Sequence, residues 1–159
     1  MEAYAFKKIE QLKQILDAAG ADYAILAHDE TVRSAEDGVE KGFGELCVMA
    51  PTLILKTEAG YLVAIIGGET RLSYKKIKKG LGLKNISLAT PAQVLEATGA
   101  EVGTVSLVNP GLRTMVDQRL PEQEMVYGGC GVSYHTLRIR VADLVAVTRA
   151  QVFDFTELK

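Results

Sequence analysis

The sequence is short of most features that mark specialised protein classes. Only two cysteines, Cys47 and Cys130, occur in 159 residues. They lie far apart and without CxxC spacing, which argues against a disulfide framework or a zinc knuckle and leaves reduced thiols as the expectation. No uninterrupted apolar run approaches the roughly 20 residues that span a bilayer, and the longest, such as Leu62 to Ile66, are strand-sized. The N-terminus alternates Phe6, Lys7, Lys8 and Ile9 with further charges and lacks the apolar stretch of a secretion signal, so no membrane partner and a cytosolic location are expected. An excess of either charge is missing too. The net charge of −2 argues against general nucleic-acid affinity but leaves room for a local basic patch. Internal repeats, low-complexity runs and proline-rich linkers are all absent, so a single domain over residues 1–159 is predicted.

What is present is the balance of an ordinary globular protein, 48% apolar and 24% charged. Phe6, Ile9, Leu12, Ile15, Leu16 and Ala19 recur at three- and four-residue spacing, which predicts an amphipathic helix over residues 4–19, stopped by Gly20. Tyr23 to Ala27 reads as a strand. The polar turn His28-Asp29-Glu30 and a second helix from Ser34, its N-cap, to about Lys41 follow. Cys47 to Thr57 and Tyr61 to Ile66 are β-branched or aliphatic around Glu58-Ala59-Gly60, the pattern of a hairpin. The spacing then predicts a helix over 73–81 ended by Gly80 or Gly82, a strand over 86–88, and a helix capped by Thr90, opened by Pro91 and closed at Gly99. Strands are expected over 103–108, 114–117, 125–127 and 136–139, then a helix over 142–148 and a strand over 152–155. Successive strands without intervening helices disfavour a doubly wound parallel sheet. An α+β fold is predicted, a curved, mixed, mostly antiparallel β-sheet with flanking helices.

Three glycine-bearing segments, Gly67-Gly68, Gly103 to Ser106 and Gly128 to Gly131, fit neither the P-loop nor the dinucleotide fingerprint. They read either as turns and bulges or as backbone that a ligand can approach closely, exposing amide donors to an oxyanion. Cys130 and His135 could form a thiol nucleophile and its base. His28 sits in a loop, where functional residues concentrate. Two histidines and two cysteines in four separate segments give no metal-ligand spacing, so no metal is predicted. Arg71, Lys75, Lys76, Lys78, Lys79 and Lys84 put six positive charges within fourteen residues, either a phosphate-contacting face or a solvated helix face.

Taken in order, these segments resemble the YbaK family, relatives of the editing domain inserted in bacterial prolyl-tRNA synthetases. The resemblance runs through the His28 loop with Ser34-Ala35, the strand Thr52-Leu53-Ile54-Leu55, and the lysine-rich helix ending in Gly80-Leu81-Gly82. It continues through Gly103 to Leu107 and Gly128-Gly129, and ends at Ala142-Asp143-Leu144. It implies hydrolysis of the ester joining a wrong amino acid to tRNA by a freestanding, trans-editing deacylase that needs no cofactor. On the resemblance Gly103, Ser106, Gly128 and Gly129 become catalytic candidates. His28, Thr52 and His135 become candidates for substrate binding, and Arg71, Lys75, Lys76, Lys78 and Lys79 for contacts to the tRNA acceptor end. An aminoacyl-tRNA synthetase is a further possible partner. Three positions depart from the family pattern. Pro51 stands where relatives carry a lysine tied to deacylation, and Thr104 and Leu107 stand where a Gly-Gly-x-x-Pro loop has its second glycine and its proline. Lys56 has the opposite strand parity to position 51 and is a poor replacement. Two outcomes stay open: an altered arrangement serving a different substrate, or a tRNA- or amino-acid-binding module without efficient hydrolysis.

Overall fold

The computed structural model describes residues 2–29, 31–32 and 34–159, so Glu30 of the predicted polar turn lies outside the described residues. The opening helix α1 (Glu2–Ala18) turns its Ile9, Leu12 and Leu16 inward, and β1 (Tyr23–Ala27) follows as the sequence predicts. Helix α2 (Ala35–Glu40) starts at Ser34, whose hydroxyl accepts the Asp37 N–H at 3.1 Å. The apolar run that follows does not begin as a strand. Leu46–Val48 is a single 3-10 turn, and extended pairing with the neighbouring strand begins only at Thr52, after Pro51, which has no N–H to give a ladder.

Strands β2 (Thr52–Thr57) and β3 (Gly60–Ile65) form the predicted hairpin, with Ile54 opposite Val63 and Leu55 opposite Leu62. Strand β4 (Thr70–Leu72) leads to α3 (Tyr74–Leu81), capped by Ser73 and closed by Gly82 in the left-handed conformation. Strand β5 (Ile86–Leu88) precedes α4 (Pro91–Thr98), which carries a full capping box between Thr90 and Gln93. Residues 103–108, predicted as a strand, are a connection instead, exposed at Gly103 and buried over 104–108. The Thr104 hydroxyl donates to the Glu101 carbonyl just ahead of the segment, and the Ser106 hydroxyl accepts the Val108 N–H within it, local bonds that compete with a ladder. Strands β6 (Arg113–Asp117), β7 (Met125–Gly128) and β8 (His135–Arg140) lead into α5 (Val141–Thr148). The last strand predicted, over 152–155, is β9 (Gln151–Phe153), which ends before Asp154-Phe155, and a further strand not predicted from the sequence, β10 (Thr156–Leu158), follows.

The strands build a five-stranded sheet in the order β5-β2-β3-β6-β9, a three-stranded sheet β1-β8-β7 and a β10-β4 pair. Among the described residues, only β3 with β6 and β6 with β9 pair as parallel strands, so the pairing is mixed and mostly antiparallel, as expected. Alternation along the hairpin separates two cores. Ile54, Val63 and Ile65 pack with α1, α4, α5 and the three-stranded sheet. Leu55, Leu62 and Ala64 pack on the other side with Ile77 of α3 and Phe155. Met49 bridges to Tyr127, and Ala50 donates its N–H to the Tyr127 carbonyl at 2.8 Å. Pro51 therefore marks where the chain leaves β7 and enters the larger sheet.

Candidate active site

A cavity of about 220 Å³ opens beside that crossing, on the α4 side of the hairpin. Its floor is Pro51, Thr52 and Ile54. Val94 of α4 and Val102 close one flank, and Ala35, Gly38 and Phe43 close another. The last wall is backbone: Gly103 to Val105 lies against Gly128 and Gly129. A β-carbon on Gly129 would collide with the Val105 carbonyl oxygen, so glycine here is demanded by close approach of the chain to itself. Two bonds fasten that layer, from Leu107 N–H to the Gly129 carbonyl at 3.0 Å and from Gly131 N–H to the Thr104 carbonyl at 2.9 Å. Among the described lining residues there is no carboxylate, amine, guanidinium or thiol.

Ser34, Thr52, Thr104, Tyr127, His135 and Thr136 bring polar side chains to this lining, and three of them bear on the chemistry. The Thr52 hydroxyl is buried and has no hydrogen-bond partner. His135, at the start of β8, sets its Nδ1 3.2 Å from the Ser133 carbonyl oxygen. A carbonyl only accepts, so Nδ1 carries the hydrogen, and in the neutral ring Nε2 is left as an acceptor. Thr136 binds His28 Nε2 at 3.0 Å, which places His28 just behind the lining and not in it. The His28 ring also leans on Phe43, at 6.3 Å between centroids, and Phe43 stacks on Tyr127 at 5.1 Å.

The structure thus brings together Gly103, Gly128, Gly129, Thr52 and His135, with His28 one contact away. It does not bring Ser106 to them. The Ser106 hydroxyl accepts the Val108 N–H at 3.1 Å and borders a second cavity on the far side of the backbone layer. Cys130 borders that second cavity as well, with burial pushing its thiol up to about 11, so it forms no nucleophile–base pair with His135. Pro51, at the position where the resemblance expects a lysine, does line the first cavity, so the amine is missing from a place where it would matter. Lys56 does not replace it. It stands at the other end of β2, exposed, its amine 5.0 Å over the Tyr61 ring.

The basic helix lies across the sheet. Ile77 of α3 packs on the core opposite the cavity, and Lys75, Lys78 and Lys79 face solvent there. Lys76 is engaged with Asp154 at 3.1 Å and with the Thr156 carbonyl at 2.8 Å. Arg71 pairs with Glu157 at 3.7 Å. Phe43, Val94, Val132 and Thr136 line the site without having been singled out as site residues. Val94 was visible as an apolar helix position, whereas nothing local to Phe43 signals its stack on a strand 84 residues later (127 − 43).

The sequence profile of aminoacyl-tRNA editing domains matches residues 29–147, which contain every residue of this cavity. The chain belongs to the aminoacyl-tRNA editing domain family. Its relatives include the proline--tRNA ligase of Thermosipho melanesiensis, 26% identical over 133 residues, covering 77% of this chain and 24% of the ligase. The chain thus spans about a quarter of the length of that synthetase. A second relative is the multifunctional Ser/Thr-tRNA deacylase ProXp-y of Escherichia coli K12, 24% identical over 153 residues, covering 92% of this chain and 91% of that one. The crystal structure of a hypothetical protein, 29% identical, superposes with a TM-score of 0.85 over 94% of this chain and 99% of its own. The α+β fold expected from the sequence is the fold of this editing domain.

Proposed function

We propose that the chain is one editing domain over residues 1–159, a freestanding cytosolic aminoacyl-tRNA deacylase acting in trans and alongside an aminoacyl-tRNA synthetase. The observation that carries this reading is the cavity itself. It is smaller than the roughly 300–1,000 Å³ of drug-sized ligand sites, its described lining bears no charged group, and one wall is glycine backbone. Such a space suits a small, neutral aminoacyl group. The reaction asks little more. A water oxygen bonds to the ester carbonyl carbon, the bond from that carbon to the ribose oxygen breaks, and the ribose oxygen takes the proton. Free amino acid and intact tRNA are left. Positioned donors toward the developing oxyanion are the largest help a protein gives such a step, and close backbone at Gly103 and Gly128-Gly129 is suited to that role. The His135 Nε2 acceptor is suited to orienting the water, and Thr52 to contacting the aminoacyl side chain.

The relative that matches this chain over nearly its whole length is named for seryl- and threonyl-tRNA, so these head the substrates to try. Incubating the protein with a panel of mischarged tRNAs decides the matter. Release of amino acid from at least one pair is the expected result, and no release above buffer for any pair would sink the reading.

A further inference from the structure

Resting on the deacylase reading, we infer that the acceptor strand of the tRNA passes into the groove between α1 and α4, where the Lys8 amine holds a backbone phosphate. The groove is the second cavity, about 440 Å³, and it shares the backbone layer of the first. Gly103 to Val105 border one cavity, and Ser106 and Gly131 border the other. Helix α4 touches both, through Val94 on one side and Ala97 and Thr98 on the other. The two cavities are separated by a single thickness of chain, within reach of one RNA strand whose terminal ester occupies the first.

Lys8 is prepared for an anion. Its amine lies 5.5 Å over the Tyr4 ring, and the Tyr4 hydroxyl is itself tied to the Gly99 carbonyl at 3.0 Å. No described carboxylate lines the groove or pairs with this amine. Gln11 stands one turn along the same helix face, and Gln14 also borders the groove, both exposed, so amide donors flank the cation. The α3 lysines, by contrast, lie across the sheet from the ester site, and Lys76 is already engaged. Lys8 also faces the C-terminal end of α4, where a helix dipole favours a cation, so a purely structural role has to be separated by the test.

The test is the affinity of the whole chain for deacylated, unfractionated tRNA across a salt series, which reports even if hydrolysis is never seen. Lys8→Gln is expected to weaken binding roughly three- to tenfold and to lower the slope of log K against log salt by about 0.7–0.9, the loss of one phosphate contact. Lys8→Arg restores both. The paired change Lys78→Gln with Lys79→Gln leaves the slope where it was. Unchanged affinity and slope in Lys8→Gln, or no tRNA binding by the wild-type chain, overturns the inference. So does a weakening that comes with a lowered melting temperature and an unaltered slope, which would make Lys8 only a helix-end cation. Failure of the mischarged panel with binding and slope as expected would instead overturn the deacylase reading alone.

Discussion

Gly129 lies so close under Val105 that any side chain on it would meet the Val105 carbonyl oxygen, with the Thr104 carbonyl oxygen only 3.2 Å from the same point. Both obstacles are backbone and cannot rotate away. Gly129→Ala must therefore part the layer that separates the two cavities and stretch the Leu107–Gly129 and Gly131–Thr104 bonds. We expect a loss of about 1–3 kcal/mol in chemical denaturation, the usual cost of overpacking. A fall in deacylation of roughly 100-fold should accompany it, since displacement near 1 Å at a reacting centre has that effect. Wild-type stability in Gly129→Ala would show that the two segments are not in contact.

Cys130 should behave as an inert core thiol. Burial raises it to about 11, and the thiolate, not the thiol, is the reactive form. In a Cys47→Ser background, alkylation by iodoacetamide is expected to be slow near neutral pH and to accelerate only as pH climbs toward that value. Rapid labelling at pH 7.5 would mean that the thiol is neither buried nor protonated as found.

Much of this fold is legible because local rules and tertiary structure agree. Ser34, Ser73 and Thr90 each cap a helix, and Gly82 and Gly99 each end one in the left-handed conformation. Strands 23–27 and 86–88 have the bounds their composition suggests. What stayed hidden depends on distant partners. Thr70–Leu72 is a strand only because Thr156–Leu158 lies against it, and neither three-residue stretch has enough alternation to declare itself. Residues 103–108 look like a strand because they are apolar, but their apolarity serves burial between two cavities. The site was legible as glycines and histidines. Its aromatic flank was not, because Phe43 and Tyr127, far apart in the chain, meet only once it is folded.

Thr52 keeps a buried hydroxyl with no partner, a group whose desolvation goes uncompensated by any hydrogen bond in the protein. Valine preserves its shape and its preference for a strand. Thr52→Val should therefore match the wild type or exceed it by about 1 kcal/mol in urea denaturation, while lowering kcat/KM if the hydroxyl meets the substrate. A loss of more than about 1 kcal/mol would show that the hydroxyl is hydrogen-bonded in solution.

Asp154 ties the C-terminal strand to α3. Both carboxylate oxygens accept from the Lys76 amine, at 3.2 and 3.1 Å, and Arg119 stands 3.6 Å away. The Lys76 hydrogen bond, more than the nearby positive charges, holds this carboxyl below its ordinary 3.8. A carboxyl that is more acidic in the folded chain contributes stability in full above the ordinary value and loses it as pH falls through the lowered one. Asp154 and Lys76 are each more than a third exposed, so solvent and salt screen the pair and its worth is about 0.5–1 kcal/mol. Asp154→Asn should show that deficit in denaturant midpoints at pH 7 and low salt. The deficit should shrink in 1 M salt and fade as pH drops below the ordinary carboxylate value. An equal deficit at pH 7 and at about pH 2 would mean that Asp154 acts through packing and not through charge.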